Sequence, residues 1–242
     1  YPAYTAATKL AGASVLHYEL SEENNWLPNL ETIEKQDLSN VKIMWVNYPH
    51  MPTGAVGSKE LFQKLSAFGQ RHNILICNDN PYSLILNENP LSIVSDKPNE
   101  YVLELNSLSK SHNMAGWRVG AVIAHQDHIN NILKFKSNVD SGMFRPVQLA
   151  AVEALSQDKS WFQTLNHEYH VRRAIVFDIL SQLNFSFDRT QVGLFVWAKV
   201  TDEIKDVAQW VDHTLHTHRV FITPGEIFGS QGERYIRISL CS

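Results

Sequence analysis

An α/β fold is predicted: a mostly parallel sheet with flanking helices, followed by a smaller C-terminal α/β domain. Three observations carry the prediction. Short apolar runs of strand length recur at residues 42–47, 74–78, 101–107 and 119–124. Helical periodicity or polar excursions separate them, as the crossovers of a parallel sheet require. The alternation then resumes, with smaller elements, beyond a long helical stretch at 159–183.

Taken in order, residues 13–20 read as a strand, and 42–47 as a short, nearly continuous apolar one. The segment 48–54 is rich in turn residues, with Pro49, Pro52 and Gly54. Residues 58–72 place Leu61, Phe62, Leu65 and Phe68 at helical spacing behind Ser58, a suitable N-cap. A buried strand follows at 74–78, then strands at 101–107 and 119–124. Helices are expected at 127–136 and 146–155. The longer helix 159–183 carries Val171, Ile175, Ile179 and Leu183 on one side and is placed to bridge two domains. Strands at 194–200, 220–223 and 235–239 surround a helix at 206–218. The division expected is a large domain over residues 1–145, and an interdomain helix with a small domain over 146–242.

Composition narrows the function. With 242 residues, 44% hydrophobic and 19% charged, the chain reads as an ordinary globular protein. No run approaches the roughly 18 apolar residues of a membrane span. A formal net charge of -4 provides no positive field for a nucleic-acid backbone, so neither nucleic acid nor membrane is expected as a partner. Cys77 and Cys241 make no disulfide framework and have no zinc-site spacing; a cytoplasmic location is expected, and no metal. The opening residues, from Tyr1 to Tyr4, form no targeting segment, and the chain reads as one that begins inside a domain.

Parallel sheets put ligands beyond the carboxyl ends of their strands, and Asn47, Asp79 and Lys110 lie just past such ends. Lys110 is the most informative of them. Flanked by Ser107 and Ser109, with Arg118 eight residues on, it can hold an aldehyde cofactor covalently while its neighbours grip a phosphate, which points to pyridoxal phosphate. Taken alone, a lysine here also suits the surface, and the serines suit turn capping. Asp79, followed by Asn80, Pro81 and Tyr82, can keep a pyridine nitrogen protonated; it equally suits a solvated turn. Arg237 lies in a strand whose apolar neighbours should turn it to the opposite face, where its fork could bind an α-carboxylate or simply meet solvent. The loop 223–229 reads as a closing loop or a connecting turn.

In order and spacing these motifs resemble the class I and II aminotransferases of the aspartate aminotransferase fold. The resemblance covers nearly the whole chain: Tyr1-Pro2, Pro52-Thr53-Gly54, Asp79 to Tyr82, Ser107 to Lys110, Trp117 to Gly120, Pro224 to Gly229 and Arg237 to Ser239. It implies that Lys110 carries the cofactor and that Asp79 partners the ring nitrogen. Tyr82 would bond the phenolic oxygen, and Ser107, Ser109 and Arg118 the phosphate. Arg237 would receive the substrate carboxylate, with Asn47 nearby. Reversible amino transfer between an L-amino acid and a 2-oxo acid is then implied, in a homodimer, with aspartate or aromatic amino acids as candidate donors. A β-eliminating lyase and a non-catalytic cofactor-binding regulatory domain are the alternatives.

Two departures stand out. The family's Asn-Pro-Thr-Gly signature begins here with Met51, which offers packing and a weak thioether acceptor where the asparagine would donate. The resemblance also implies a further segment at the amino end, carrying a glycine-rich phosphate turn and an aromatic that stacks on the ring. Without it, poor activity is expected of this stretch alone. Arg145 is a candidate for a distal substrate carboxylate, and Trp26, Trp117, Tyr18 and Phe144 for apolar substrate surface. Residues 141–144 read as a substrate contact, a partner-subunit contact or a domain hinge.

Overall fold

A computed structural model describes residues 2–95 and 99–241. Helix α1 (Pro2–Leu10) is followed by an extended segment and the single-turn helix α2 (Leu30–Ile33). Strand β1 (Ile43–Val46) begins a four-stranded sheet with β2 (Leu75–Asp79), β3 (Val102–Ser107) and β4 (Gly120–Ala124), ordered β1-β2-β3-β4. The first three run parallel and β4 antiparallel to β3, so the sheet is mostly parallel as expected.

Between β1 and β2, helix α3 (Lys59–His72) supplies the crossover. Ser58 accepts a hydrogen bond from the Leu61 N–H, and Asn73 ends the helix in the left-handed conformation. Leu61, Phe62, Leu65 and Phe68 are all buried against Val46, Ile74, Ile76 and Val102. Leu65 and Phe68 are wholly inaccessible, each worth about 2 to 3 kcal/mol of burial. Under the sheet's carboxyl edge sits a polar clasp: Asn78 accepts from the Tyr48 N–H and donates to Glu104, both residues being buried.

After β3 the chain forms one helical turn, α4 (Leu108–Ser111), before β4, then α5 (Gln126–Val139), α6 (Arg145–Leu155) and the long α7 (Lys159–Gln182). Strand β5 (Phe195–Lys199), helix α8 (Val207–His218), β6 (Thr223–Pro224) and β7 (Tyr235–Ser239) build a second, antiparallel sheet ordered β5-β7-β6. Its core face carries Val196, Ala198 and Ile236, packed with Phe177 and Leu180 of α7 and with Tyr82 and Ile85 from the first sheet's edge.

Two expectations need correction, and a third holds with its burial now known. Residues 13–20 are extended but pair with no strand; Tyr18 anchors them instead, its hydroxyl donating to the Trp45 carbonyl at 2.7 Å. The strand expected at 220–223 shrinks to Thr223–Pro224, because Val220 and Phe221 project into solvent and Pro224 has no N–H to offer. Val171, Ile175, Ile179 and Leu183 do share one side of α7, but that side is exposed, while Tyr169, Phe177 and Leu180 form the buried one.

Residues 18–29 strap the two sheets together. Tyr48 donates to the Trp26 carbonyl, and the Trp26 ring meets Trp197 and Tyr235 edge-on. Glu19 accepts from Ser230 and Gln231, and Glu22 pairs with Lys199 at 2.6 Å. That last pair is solvent-exposed and contributes at most about 1 kcal/mol, so the aromatic contacts hold the strap.

Candidate active site

The parallel register places the ends of β1, β2 and β3 on one edge, and with them Asn47, Asp79 and Ser107. Asn47 is the brace of this edge. Its amide donates to the Asp79 carbonyl at 2.5 Å and accepts from the Met51 N–H at 2.9 Å. Asn80 continues the pattern: its N–H donates to the Leu105 carbonyl, and its own carbonyl accepts from the Asn106 amide, fixing the start of the turn that leads to Tyr82.

Asp79 is half-buried, and burial raises its pKa above the usual carboxylate range. A hydrogen bond from the Tyr4 hydroxyl to Oδ2, at 2.6 Å, opposes that shift. Tyr4 in turn stacks on Trp45 at 4.9 Å with planes 6° apart, and burial together with the Asp79 charge holds its phenol protonated. Sequence reasoning missed Tyr4, since nothing in its neighbourhood points 75 residues ahead.

Lys110 is half-buried on α4. Ser107 caps that turn, its Oγ accepting from the Ser109 N–H at 3.1 Å. Leu108, Met114 and Ala151 pack beneath it, and Trp161 donates to the Ser111 carbonyl at 2.9 Å. The turn bearing Lys110 is thus held from below and on its flank. Arg118 adopts a left-handed backbone conformation, φ 56°, and is exposed, with Nη1 donating to the Ala115 carbonyl at 2.9 Å.

Arg237 comes from the second sheet. As its strand pattern predicted, Ile236 enters the core and Arg237 takes the other face. Its guanidinium lies against the rings of Phe195, at 4.2 Å, and Phe228, at 4.7 Å. Nη1 donates to Sδ of Met51 at 3.4 Å, and Nε is buried without a partner, a deficit of about 1 to 3 kcal/mol unless an acceptor arrives. Burial lowers the guanidinium's pKa, with Tyr82 partly offsetting it. Tyr82 is buried, its ring edge-on to Phe195 at 6.1 Å. Phe195 and Phe228 also escaped the sequence reading.

Other candidates fall apart from this group. Trp117, Phe144 and Arg145 are exposed, Phe144 being 73% accessible. Trp26 packs on Trp197 and Tyr235, and the Tyr18 hydroxyl is engaged by Trp45. Among the described residues no group of His, Cys, Asp or Glu is arranged to hold a metal, and no helix is long and apolar enough to cross a membrane. Cys77 is buried and Cys241 exposed, both as free thiols.

The donor set fits pyridoxal phosphate. It combines a supported lysine, a half-buried carboxylate, a phenol, two serines and an arginine about one edge, with a second arginine whose Nε has no partner. Comparison with known proteins agrees. Residues 1–242 match the family described as aminotransferase class I and II. An LL-diaminopimelate aminotransferase of Dehalococcoides mccartyi is 37% identical over 99% of this chain and 62% of its own. One from Natranaerobius thermophilus is 38% identical over 99% of this chain and 63% of its own. The structure of substrate-bound BacF from Bacillus subtilis superposes with a TM-score of 0.93 at 34% identity, covering all of this chain and 62% of that one. The chain therefore spans a little under two thirds of the length of these relatives.

Proposed function

Since this chain belongs to the class I and II aminotransferases, a family of pyridoxal-phosphate enzymes, we propose that the protein it comes from moves an amino group between an L-amino acid and a 2-oxo acid. The observation that carries this reading is the half-buried Lys110 on a capped, packed turn at the same sheet edge as the Asp79 carboxylate.

When bound, the cofactor supplies an aldehyde to capture the amino group and a ring that withdraws electrons from the substrate's α-carbon. Lys110 would hold that aldehyde and, with its amine free, would move the proton at the substrate's α-carbon as general base and then acid. Asp79 would partner the ring nitrogen and keep it protonated, with Tyr4 fixing one carboxylate oxygen. Tyr82 would donate to the phenolic oxygen. Ser107, Ser109 and Arg118 would hold the phosphate; for Arg118 this requires exchanging the Ala115 carbonyl for the stronger, charged acceptor. Arg237 receives the carboxylate common to amino acid and oxo acid, its guanidinium held against Phe195 and Phe228. Asn47 shapes the substrate side by holding the Asp79 and Met51 backbones.

For the donor, the relatives named above favour LL-diaminopimelate over aspartate or an aromatic amino acid. The same reading carries a homodimer and a cytoplasmic location, the two free cysteines supporting the latter. It also carries a domain division near residue 145, supported by a four-stranded sheet wholly before that point and a three-stranded sheet wholly after it.

The test is an absorbance titration of the full-length protein with pyridoxal phosphate, then a panel of LL-diaminopimelate, aspartate and aromatic amino acids with and without 2-oxoglutarate. A visible band that the true donor bleaches and an oxo acid restores is expected. A band that survives Lys110→Ala would overturn the assignment. Oxo-acid release without an acceptor would redirect it to a lyase.

A further inference from the structure

We propose that Met51 sets the affinity of the carboxylate receptor: its thioether engages Nη1 of Arg237, leaving the Nε and Nη2 edge as the fork that grips the substrate carboxylate, with no amide donor supplied from position 51. This rests on the reading of Arg237 given above.

The geometry is closely constrained. The rings of Phe195 and Phe228 lie 4.2 and 4.7 Å from the centre of the guanidinium and restrict the approach of a ligand to it. Among the described residues its one hydrogen bond runs from Nη1 to the Met51 sulfur at 3.4 Å. Thioether sulfur is a weak acceptor, so it orients that corner without neutralising it. Nε is buried with no acceptor, and a carboxylate meeting Nε and Nη2 side by side would satisfy it in the bidentate geometry arginine favours.

Met51 cannot easily move away. Its N–H is held by Asn47, the residue that also holds the Asp79 backbone, and its side chain packs against the core that contains Tyr82. The position therefore lies between the cofactor edge and the carboxylate receptor. An amide there would bind Nη1 through its oxygen and offer an N–H to the carboxylate; methionine does only the first, and weakly. Position 51 then adds no hydrogen bond of its own to the carboxylate.

The experiment is calorimetric binding of succinate and 3-phenylpropionate, carboxylates without an amino group to transfer, to the full-length holoenzyme and to its Met51→Asn, Met51→Leu and Arg237→Lys variants. Met51→Asn should bind about tenfold tighter, the gain of one charge-assisted hydrogen bond. Met51→Leu, matched in bulk but lacking the sulfur, should bind about threefold weaker, and Arg237→Lys should lose binding. In turnover, Met51→Asn should lower KM for both substrates. Should both Met51 variants bind within twofold of the parent while Arg237→Lys abolishes binding, the receptor stands and the role of Met51 falls. If Arg237→Lys binds normally, the carboxylate reading of Arg237 fails, and this inference with it. Should Met51→Asn lose the visible cofactor band, Met51→Gln and Met51→Leu carry the comparison.

Discussion

At the scale of single residues, Asp79 shows how function is set against stability. Burial raises its pKa in the folded protein, so the ionised form is disfavoured there relative to the unfolded chain. The stability it contributes is complete below its ordinary value, near 4, and is lost as pH rises through the raised folded value. Cofactor-free Asp79→Asn protein should therefore melt a few degrees higher than the parent at pH 7, and the difference should vanish at low pH. The same variant should lose most of its affinity for pyridoxal phosphate. Calorimetric melts of both apo proteins across pH 4 to 8 check the sign, and a parent that is the more stable at pH 7 would refute it. Lys110, Asp79 and Tyr82 were legible in sequence because each follows an apolar strand, and strand ends of a parallel sheet share an edge. Tyr4, Phe195 and Phe228 were not, because a phenol reaching a carboxylate 75 residues away, or two rings against a guanidinium, leave no local pattern.

At the scale of elements, the turn between β1 and α3 does more than connect. Gly54 has φ +72° and donates to the His50 carbonyl, while its own carbonyl accepts from the Val192 N–H beside the second sheet. A Cβ at Gly54 would lie 2.8 Å from the Val192 oxygen and 2.9 Å from its nitrogen, both backbone atoms that cannot swing aside. Gly54→Ala should cost about 3 kcal/mol, from the left-handed backbone and the displaced segment together, and denaturant unfolding measures it. His50, in the same turn, bonds Thr53 through Nδ1 at 2.8 Å, and burial pushes its pKa down to about 4. A neutral, half-buried histidine contributes stability that is present above its ordinary value, near 6.5, and lost as pH falls toward 4. His50→Asn should flatten the decline in melting temperature over that interval; an unchanged slope would place the effect elsewhere. Helix α3 was readable to its cap because period and N-cap agree. Residues 13–20 misled because a β-like composition makes a strand only where a neighbour completes the ladder, and Tyr18 anchors this segment by its side chain.

At the scale of the whole molecule, each sheet has its own core, the second including Tyr82 and Ile85 from the first sheet's edge, and one strap joins them, yet a second apolar surface is left over. Val171, Ile175 and Ile179 stand 44%, 58% and 47% exposed along α7, with Leu149, Val152 and Leu155 on α6 and Phe135 on α5 exposed as well. Helical spacing makes the α7 residues a continuous stripe on the side opposite Phe177 and Leu180, so α7 is apolar on two faces, as expected of a helix covered on both. Exposed apolar surface of this extent is unusual on a free-standing monomer. The relatives, of which this chain spans a little under two thirds, contain more polypeptide to cover such a face. Two outcomes follow, and they separate cover from chance. Expressed alone, residues 1–242 should bind a hydrophobic dye and self-associate with rising concentration, and Ile175→Lys with Ile179→Lys should reduce both. In the full-length protein the same pair should lower the melting temperature, because each lysine would then be forced into a buried contact. Dye binding that ignores the substitutions, together with an unchanged full-length melt, would show that α7 meets solvent on this side in the complete protein.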